Sequence, residues 1–200
     1  MGGFMDIFKA IKKEKKFLKH FYIFMGIIGI ILPLAVYITG IKSLFFSTFL
    51  VVIEVLILSE IIIKINHTSL RFSCINNRFK FKFGMFNKEN VIFCDKVKLV
   101  HTEKMEEDME IIIVTSVNFK NRGLRPVNNK FFFRRYPGAI KDITKIYENN
   151  RGELLYYQVI RRGGLKKYLL LDSLYKNCVK SVYTADCIEN IKIARGQTLV

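Results

Sequence analysis

Residues 21–41 read FYIFMGIIGIILPLAVYITGI, an apolar run without a charged side chain. At 1.5 Å per residue, about twenty such residues cross the roughly 30 Å of a bilayer's hydrocarbon. A second run, LFFSTFLVVIEVLILSEIIIKI at 44–65, follows after Lys42 and Ser43 and is interrupted only by Glu54, Glu60 and Lys64. Two transmembrane helices joined by so short a link form a hairpin, which leaves no folded domain on the far side. A cleaved signal peptide would have a shorter apolar region and a small-residue cleavage site. The core helices of a soluble protein rarely stay free of charge for so long.

The basic residues orient the hairpin. Lys9, Lys12, Lys13, Lys15, Lys16 and Lys19 precede the first span, and Lys64, Arg71, Arg78, Lys80 and Lys82 follow the second, whereas the link holds only Lys42. The positive-inside bias then predicts a two-span protein of the cell membrane with both termini cytoplasmic. Pro33, after Gly26 and Gly29, makes a kink and a close helix contact available. Glu54 falls near the middle of its span, where an ionised carboxylate costs a few kcal/mol, so it is expected neutral, paired or turned toward protein. Helix packing or an oligomer interface between hairpins would satisfy it, and a proton-relay role would require the helices to assemble into a pathway. Glu60 and Lys64, four residues apart near the cytoplasmic end, are placed for an ion pair.

Farther out, the composition limits the class of protein. Lys and Arg number 33 against 17 acidic residues, a formal charge of +16 in a chain that is 50% hydrophobic, so charge and hydrophobicity must be segregated along it. A disordered basic tail would not carry 18 Phe and 9 Tyr, and a disulfide miniprotein would need far more than four Cys. The richness in Ile, Lys, Asn and Phe, with no Trp, is what an AT-rich genome encodes and points to a low-GC bacterium.

Past Ile65 the pattern changes to alternation. Leu70, Phe72 and Cys74 face one way and Arg71 and Ser73 the other; after Asn76-Asn77, Phe79, Phe81 and Phe83 alternate with Arg78, Lys80 and Lys82. Two alternating runs across Asn-Asn predict a β-hairpin, since Asn tolerates the left-handed backbone of such a turn. Gly84 and residues 87–90 mark the next turn, and 91–93 with 97–100 form a broken strand. An acidic loop at Glu106-Glu107-Asp108 leads into 109–119, whose Ile111–Val114 centre is apolar on both faces and reads as a central strand. Residues 121–129 read as a loop and 130–135 as a further strand. Pro137 opens a helix on which Ile140, Ile143, Ile146 and Tyr147 recur at helical spacing.

This order of patterns, carried by LRFSCINNRFKFKFGMFNKENVIFCDKVKLVHTE, MEIIIVTS and NKFFFRRYPGAIKDITKIYE, resembles the bacterial pleckstrin-homology-like (PH-like) domain that follows a two-helix membrane hairpin in a family of membrane proteins. The resemblance covers about residues 66–150 and implies an antiparallel sheet or partial barrel closed by a helix. It implies a place at the membrane and no reaction. The expected organisation is a basic cytoplasmic segment at 1–20, the transmembrane hairpin at 21–65, the PH-like cytoplasmic domain at 66–150 and a C-terminal extension at 151–200. In that extension Tyr168, Leu171, Tyr175, Cys178 and Val182 keep a three-four spacing and predict an amphipathic helix. Asp186 could cap a further short helix, although 188–194 also reads as a strand.

No catalytic constellation is visible. His20, His67 and His101 are scattered, and there is no HExxH, CxxC, phosphate-binding glycine loop or nucleophile elbow. Cys74, Cys94, Cys178 and Cys187 lack zinc-site spacing and read as reduced core thiols. Glu106, Glu107, Asp108 and Glu110 lack the glycine pattern of a calcium loop and read as a solvated acidic stretch, as Arg134-Arg135 and Arg161-Arg162 read as solvated pairs. No metal and no cofactor is expected.

The basic excess suits anionic lipid, nucleic acid or an acidic protein. Lipid has the geometric advantage, because the hairpin holds Arg71, Arg78, Lys80 and Lys82 beside the bilayer, where each basic group gains about 1 kcal/mol from the negative leaflet. The alternating Phe face is better explained as core than as a stacking platform for nucleic acid. The function expected is therefore a non-enzymatic membrane adaptor that binds a protein partner, anionic lipid headgroups, or both. The alternatives are immunity to a bacteriocin or membrane-active peptide, which the PH-like resemblance makes plausible, and a subunit of a transport or channel assembly, motivated by Glu54.

Overall fold

Helix α1 (Ile7–Thr39) and helix α2 (Leu44–Thr68) are each long and apolar enough to cross a membrane, and their apolar stretches are not buried within the chain. In this computed structural model the described residues are 6–40, 43–104, 108–127, 130–149 and 154–197. Lys42, Glu106, Glu107, Arg151 and Gly152 lie outside them. The Asp6 carboxylate caps α1 by accepting from Phe8 N–H at 3.2 Å, and Gly40 ends it in the left-handed conformation. Ile7, Ala10 and Ile11 are buried, and Glu14 accepts from Leu165 N–H at 3.3 Å. The basic segment ahead of the apolar run is thus the docked beginning of the same helix.

After α2, strands β1 (Leu70–Ile75), β2 (Arg78–Phe83) and β3 (Asn90–Phe93) form an antiparallel sheet in that order. Ile75 pairs with Arg78 across Asn76 and Asn77, whose φ values of 51° and 63° are those of the expected two-residue turn. Phe79 and Phe81 are 0% and 1% exposed, so the aromatic side of β2 is core and the basic side faces out.

The second sheet has the order β6-β7-β5-β4-β8, from β4 (Val97–Lys104), β5 (Met109–Thr115), β6 (Arg125–Pro126), β7 (Tyr156–Ile160) and β8 (Val182–Tyr183). Its ladders are antiparallel except β4 with β8. The expected central strand is β5, buried along its whole length between β4 and β7. Ile111 and Ile113 enter one core with Phe79, Phe81, Ile160, Leu170, Leu174 and Ile191. Ile112 and Val114 enter the other with Leu99, Phe132, Tyr136, Ile143 and Tyr157. A strand buried on both faces needs the unbroken apolar run this one has.

Helix α3 (Lys130–Arg135) and helix α4 (Ile140–Asn149) cover one face of that sheet, while helix α5 (Lys166–Asn177), helix α6 (Ala185–Ala194) and the first sheet cover the other. Residues 130–135 were expected to form a strand and instead are α3. Phe132 and Tyr136 are buried four residues apart, and Tyr136 N–H donates to Phe132 O at 2.9 Å, a helical and not an alternating spacing. Pro137–Ala139 is a 3-10 turn that leads into α4, where Ile143 and Ile146 are buried as expected.

The sheets do not close into a barrel. Their apolar faces are covered by stacking sheet on sheet and helix on sheet, the layered way of burying the same surface. The stretch read as a C-terminal extension supplies α5, α6 where helix and strand readings were both open, and also β7, which lies inside the sheet. The apolar face of α5 differs from the expected one: Lys167, Leu170, Leu171 and Leu174 are buried, Tyr175 is exposed, and Cys178 and Val182 lie beyond the end of the helix, Val182 in β8.

Candidate functional site

Three hydrogen bonds fasten the domain to the last turn of α2 and to Ser69, the residue that caps it. Gly84 N–H donates to Ser69 O at 2.8 Å, Met85 N–H to Asn66 Oδ1 at 3.1 Å, and Gly163 N–H to His67 O at 2.9 Å. Both glycines are required by close approach. Gly84 has φ 73° and a Cβ there would lie 2.1 Å from Asn66 Oδ1; Gly163 has φ 132° and its Cβ would lie 2.7 Å from Leu70 Cδ2. The loop after β2 and the residues after β7 are therefore held at fixed positions against the end of the hairpin.

A polar cleft of about 700 Å³ opens at this junction, lined by Glu14, Lys64, His67, Asp108, Glu110 and Arg135 among others. Lys64 faces this cleft, and no ion pair joins it to Glu60 among the described residues. Glu110, 7% exposed, accepts from Arg135 Nη2 at 2.9 Å, Arg161 Nε at 3.0 Å and Tyr136 Oη at 2.6 Å. Lys167 is fully buried and donates to Met109 O, to Arg161 O at 2.9 Å and to Asp108 Oδ2 at 2.5 Å. Burial pulls the Lys167 ammonium below its usual range, against the opposing pull of Asp108. Burial pushes the Tyr136 phenol up, and its hydrogen bond to the Glu110 carboxylate adds to the shift. Asp108 and Glu110, read in the sequence as solvated, are therefore the acceptors of a buried polar network.

The basic residues singled out in the sequence share one face of the first sheet. Arg71 pairs in register with Lys82, Ser73 with Lys80 and Ile75 with Arg78. Lys80 meets Glu89 at 3.9 Å and the Arg78 guanidinium lies 5.5 Å from the Phe93 ring centroid. The stripe runs away from the hairpin: four residues at about 3.3 Å each put Arg78 roughly 13 Å beyond Lys82, more than a Debye length. Only Arg71 and Lys82 stay close to the end of α2. Glu54 faces α1, where a Cβ on Gly29 would lie 3.4 Å from Glu54 Oε2. Its buried Oε1 has no hydrogen-bond partner among the described residues.

A second cleft, of about 330 Å³, was not foreseen. It collects Lys88 from the loop after β2, Arg122 from the connection into β6, Arg125 from β6 itself, and Arg161 and Arg162 from the residues just after β7. Among the described residues no carboxylate lines it. The signal lay in Arg161-Arg162 standing beside Gly163-Gly164, but the partners are far apart in sequence and meet only because β6, β7 and β5 are neighbours.

One arrangement outside the junction resembles catalytic machinery. His101 Nδ1 lies 2.9 Å from Thr184 Oγ1 and its Nε2 lies 2.9 Å from Glu103 Oε2. His101 is 0% and Thr184 4% exposed, so the hydroxyl has no route to a substrate and the chain of contacts ties β4 to the start of α6. All four cysteines are free; Cys94, Cys178 and Cys187 are buried, and burial pushes the Cys187 thiol up, which disfavours the reactive thiolate. Among the described residues no group of three or more His, Cys, Asp or Glu is placed to hold a metal ion. In comparisons with family models, with curated proteins and with solved structures, the chain matches none.

Proposed function

We propose that the protein is a non-enzymatic membrane-anchored binding module of the bacterial cell membrane, whose cytoplasmic α+β domain engages anionic lipid and through it presents a surface to a protein partner. The observation that carries this reading is the set of ties from Gly84, Met85 and Gly163 to the last turn of α2 and its cap, Ser69. A domain fastened in this way to an apolar hairpin keeps the basic groups nearest the joint, Arg71 and Lys82 of the stripe among them, at the membrane surface, where each gains about 1 kcal/mol from an anionic leaflet. The resemblance of residues 66–150 to PH-like domains that follow a membrane hairpin supports the same placement. The basic flanks of the hairpin support cytoplasmic termini.

For Glu54 the reading assigns a helix-packing contact, with a donor from a second hairpin completing its shell. The close approach of Gly29 favours this over a transport pathway. An unchanged ion flux in a Glu54→Gln variant is the expected result, and a lost flux would restore the transport reading.

The lipid claim is tested with the full chain in nanodiscs, by comparing protection of the domain from protease in anionic and in zwitterionic bilayers as salt rises. Protection that is stronger in anionic lipid and weakens with salt is expected. Equal protection in both at all salt concentrations would mean that charge does not seat the domain.

A further inference from the structure

We propose that the cleft formed by Lys88, Arg122, Arg125, Arg161 and Arg162 is a binding site for the phosphate of a lipid headgroup, with Met85 and Phe86 inserted beside it at the acyl boundary. This deepens the membrane-anchored reading and rests on it.

The charge in the cleft is unbalanced. Arg161 is neutralised from behind by Glu110 at 3.0 Å, but Lys88, Arg122, Arg125 and Arg162 have no carboxylate within salt-bridge distance among the described residues. Glu89, the acid adjacent to Lys88, is turned to Lys80 on the outer face of the sheet at 3.9 Å. Like charges around one small space repel unless an anion fills it. Arginine forks match the geometry of phosphate oxygens, and three unpaired ones with a lysine suit the doubly negative phosphomonoester better than a zwitterionic headgroup. The space of about 330 Å³ fits a headgroup-sized ligand, not a protein segment. Asn87 and Asn90 add polar lining, and Asn87 Nδ2 already donates to Phe83 O at 2.8 Å.

Depth selects a lipid as the source of the phosphate. Phe83 and Arg162 each precede a glycine bonded to the end of α2, at Ser69 and His67. Lys64 marks the edge of the apolar run, and Asn66 to Ser69 lie about 3 to 8 Å further along the helix axis. The headgroup layer is roughly 5 to 7 Å thick on each side, so the attachments fall within or just beyond it. Beside the cleft, Met85 is 47% and Phe86 72% exposed on a loop whose backbone is bonded to Asn66. An apolar tip held at that depth, uncovered by the described residues, is buried favourably at the acyl boundary.

The chain has no Trp, so Phe86→Trp installs a single tryptophan, which is excited selectively at the red edge of its absorption, beyond that of the nine Tyr. The full chain carrying it is placed in nanodiscs of phosphatidylcholine, with or without phosphatidic acid, and quenching by brominated acyl chains is compared with quenching by iodide. Short-chain phosphatidic acid and inorganic phosphate are then titrated separately into the detergent-solubilised chain. Bromolipid quenching that deepens with phosphatidic acid is expected, together with an affinity for the short-chain lipid that falls about a hundredfold in Arg122→Gln/Arg125→Gln/Arg162→Gln at unchanged melting temperature, as loss of three contacts of about 1 kcal/mol implies. Equal affinity in the triple variant would remove the site, and inorganic phosphate binding as tightly as the lipid would make it a site for a soluble phosphate. Iodide-accessible Trp in every disc, with the hairpin inserted, would overturn the inserted loop. Failure of the hairpin to enter the disc at all would instead defeat the underlying membrane reading.

Discussion

Lys167 sits where a cation is hardest to keep, wholly buried, and it stays because each donor finds an acceptor in Asp108, Met109 O or Arg161 O. Lys167→Met would remove the ammonium's hydrogen bonds to the buried Met109 carbonyl and the part-buried Arg161 carbonyl and its ion pair with Asp108, a loss of about 2 to 4 kcal/mol that a thermal melt of the full chain in detergent would read. The titration has a definite sign. Burial holds the folded value below that of an ordinary lysine, so between the two the unfolded chain binds more protons and stability rises with pH. That contribution is full above about 10.4 and is lost as pH falls through the depressed folded value. Lys167→Met should therefore show a shallower rise of melting temperature across this window than the unmodified chain. On β2 the two faces separate cleanly: Phe81→Ala should cost about 3 to 5 kcal/mol, while Lys80→Gln, whose partner Glu89 is exposed, should stay within about 0.5 kcal/mol. Normal melting of Phe81→Ala would make the aromatic stripe a recognition surface.

At the scale of elements, the joint between hairpin and domain depends on backbone that only glycine adopts easily. Gly84→Ala places a Cβ against Asn66 at a left-handed φ, and the expected outcome is a loss of more than about 1 kcal/mol with faster proteolysis of the segment after Thr68. Unchanged proteolysis would mean that the joint is held elsewhere. What could be read in advance divides along the same line of local against distant causes. The apolar helices, the Asn76-Asn77 turn, the alternation of β2 and the two-faced burial of β5 follow from neighbours in sequence, and they appear as expected. Residues 130–135 escaped because three consecutive Phe suit a strand as well as a helix, and only the face of β5 and β7 that they cover decides between them. The YYQVI run of β7 carries a β-prone composition, but its place between β6 and β5 is a long-range choice. The cationic cleft was illegible for that reason: its arginines look like solvated pairs until β7 enters the sheet.

For the whole molecule, everything proposed depends on which side of a bilayer the domain occupies. Segregation of +16 net charge from two apolar helices is the physical argument for the proposed orientation, with basic residues on both outer flanks of the hairpin and only Lys42 in the link between the runs. The decisive measurement is labelling of intact and permeabilised cells with a membrane-impermeant maleimide. The half-buried Cys74 is changed to Ser to lower the background, and a single cysteine is placed by Ser43→Cys or by Asn87→Cys. The account requires Ser43→Cys to label in intact cells and Asn87→Cys to label only after permeabilisation. Labelling of Asn87→Cys in intact cells as readily as Ser43→Cys would contradict it and put the cationic cleft on the wrong side of the membrane.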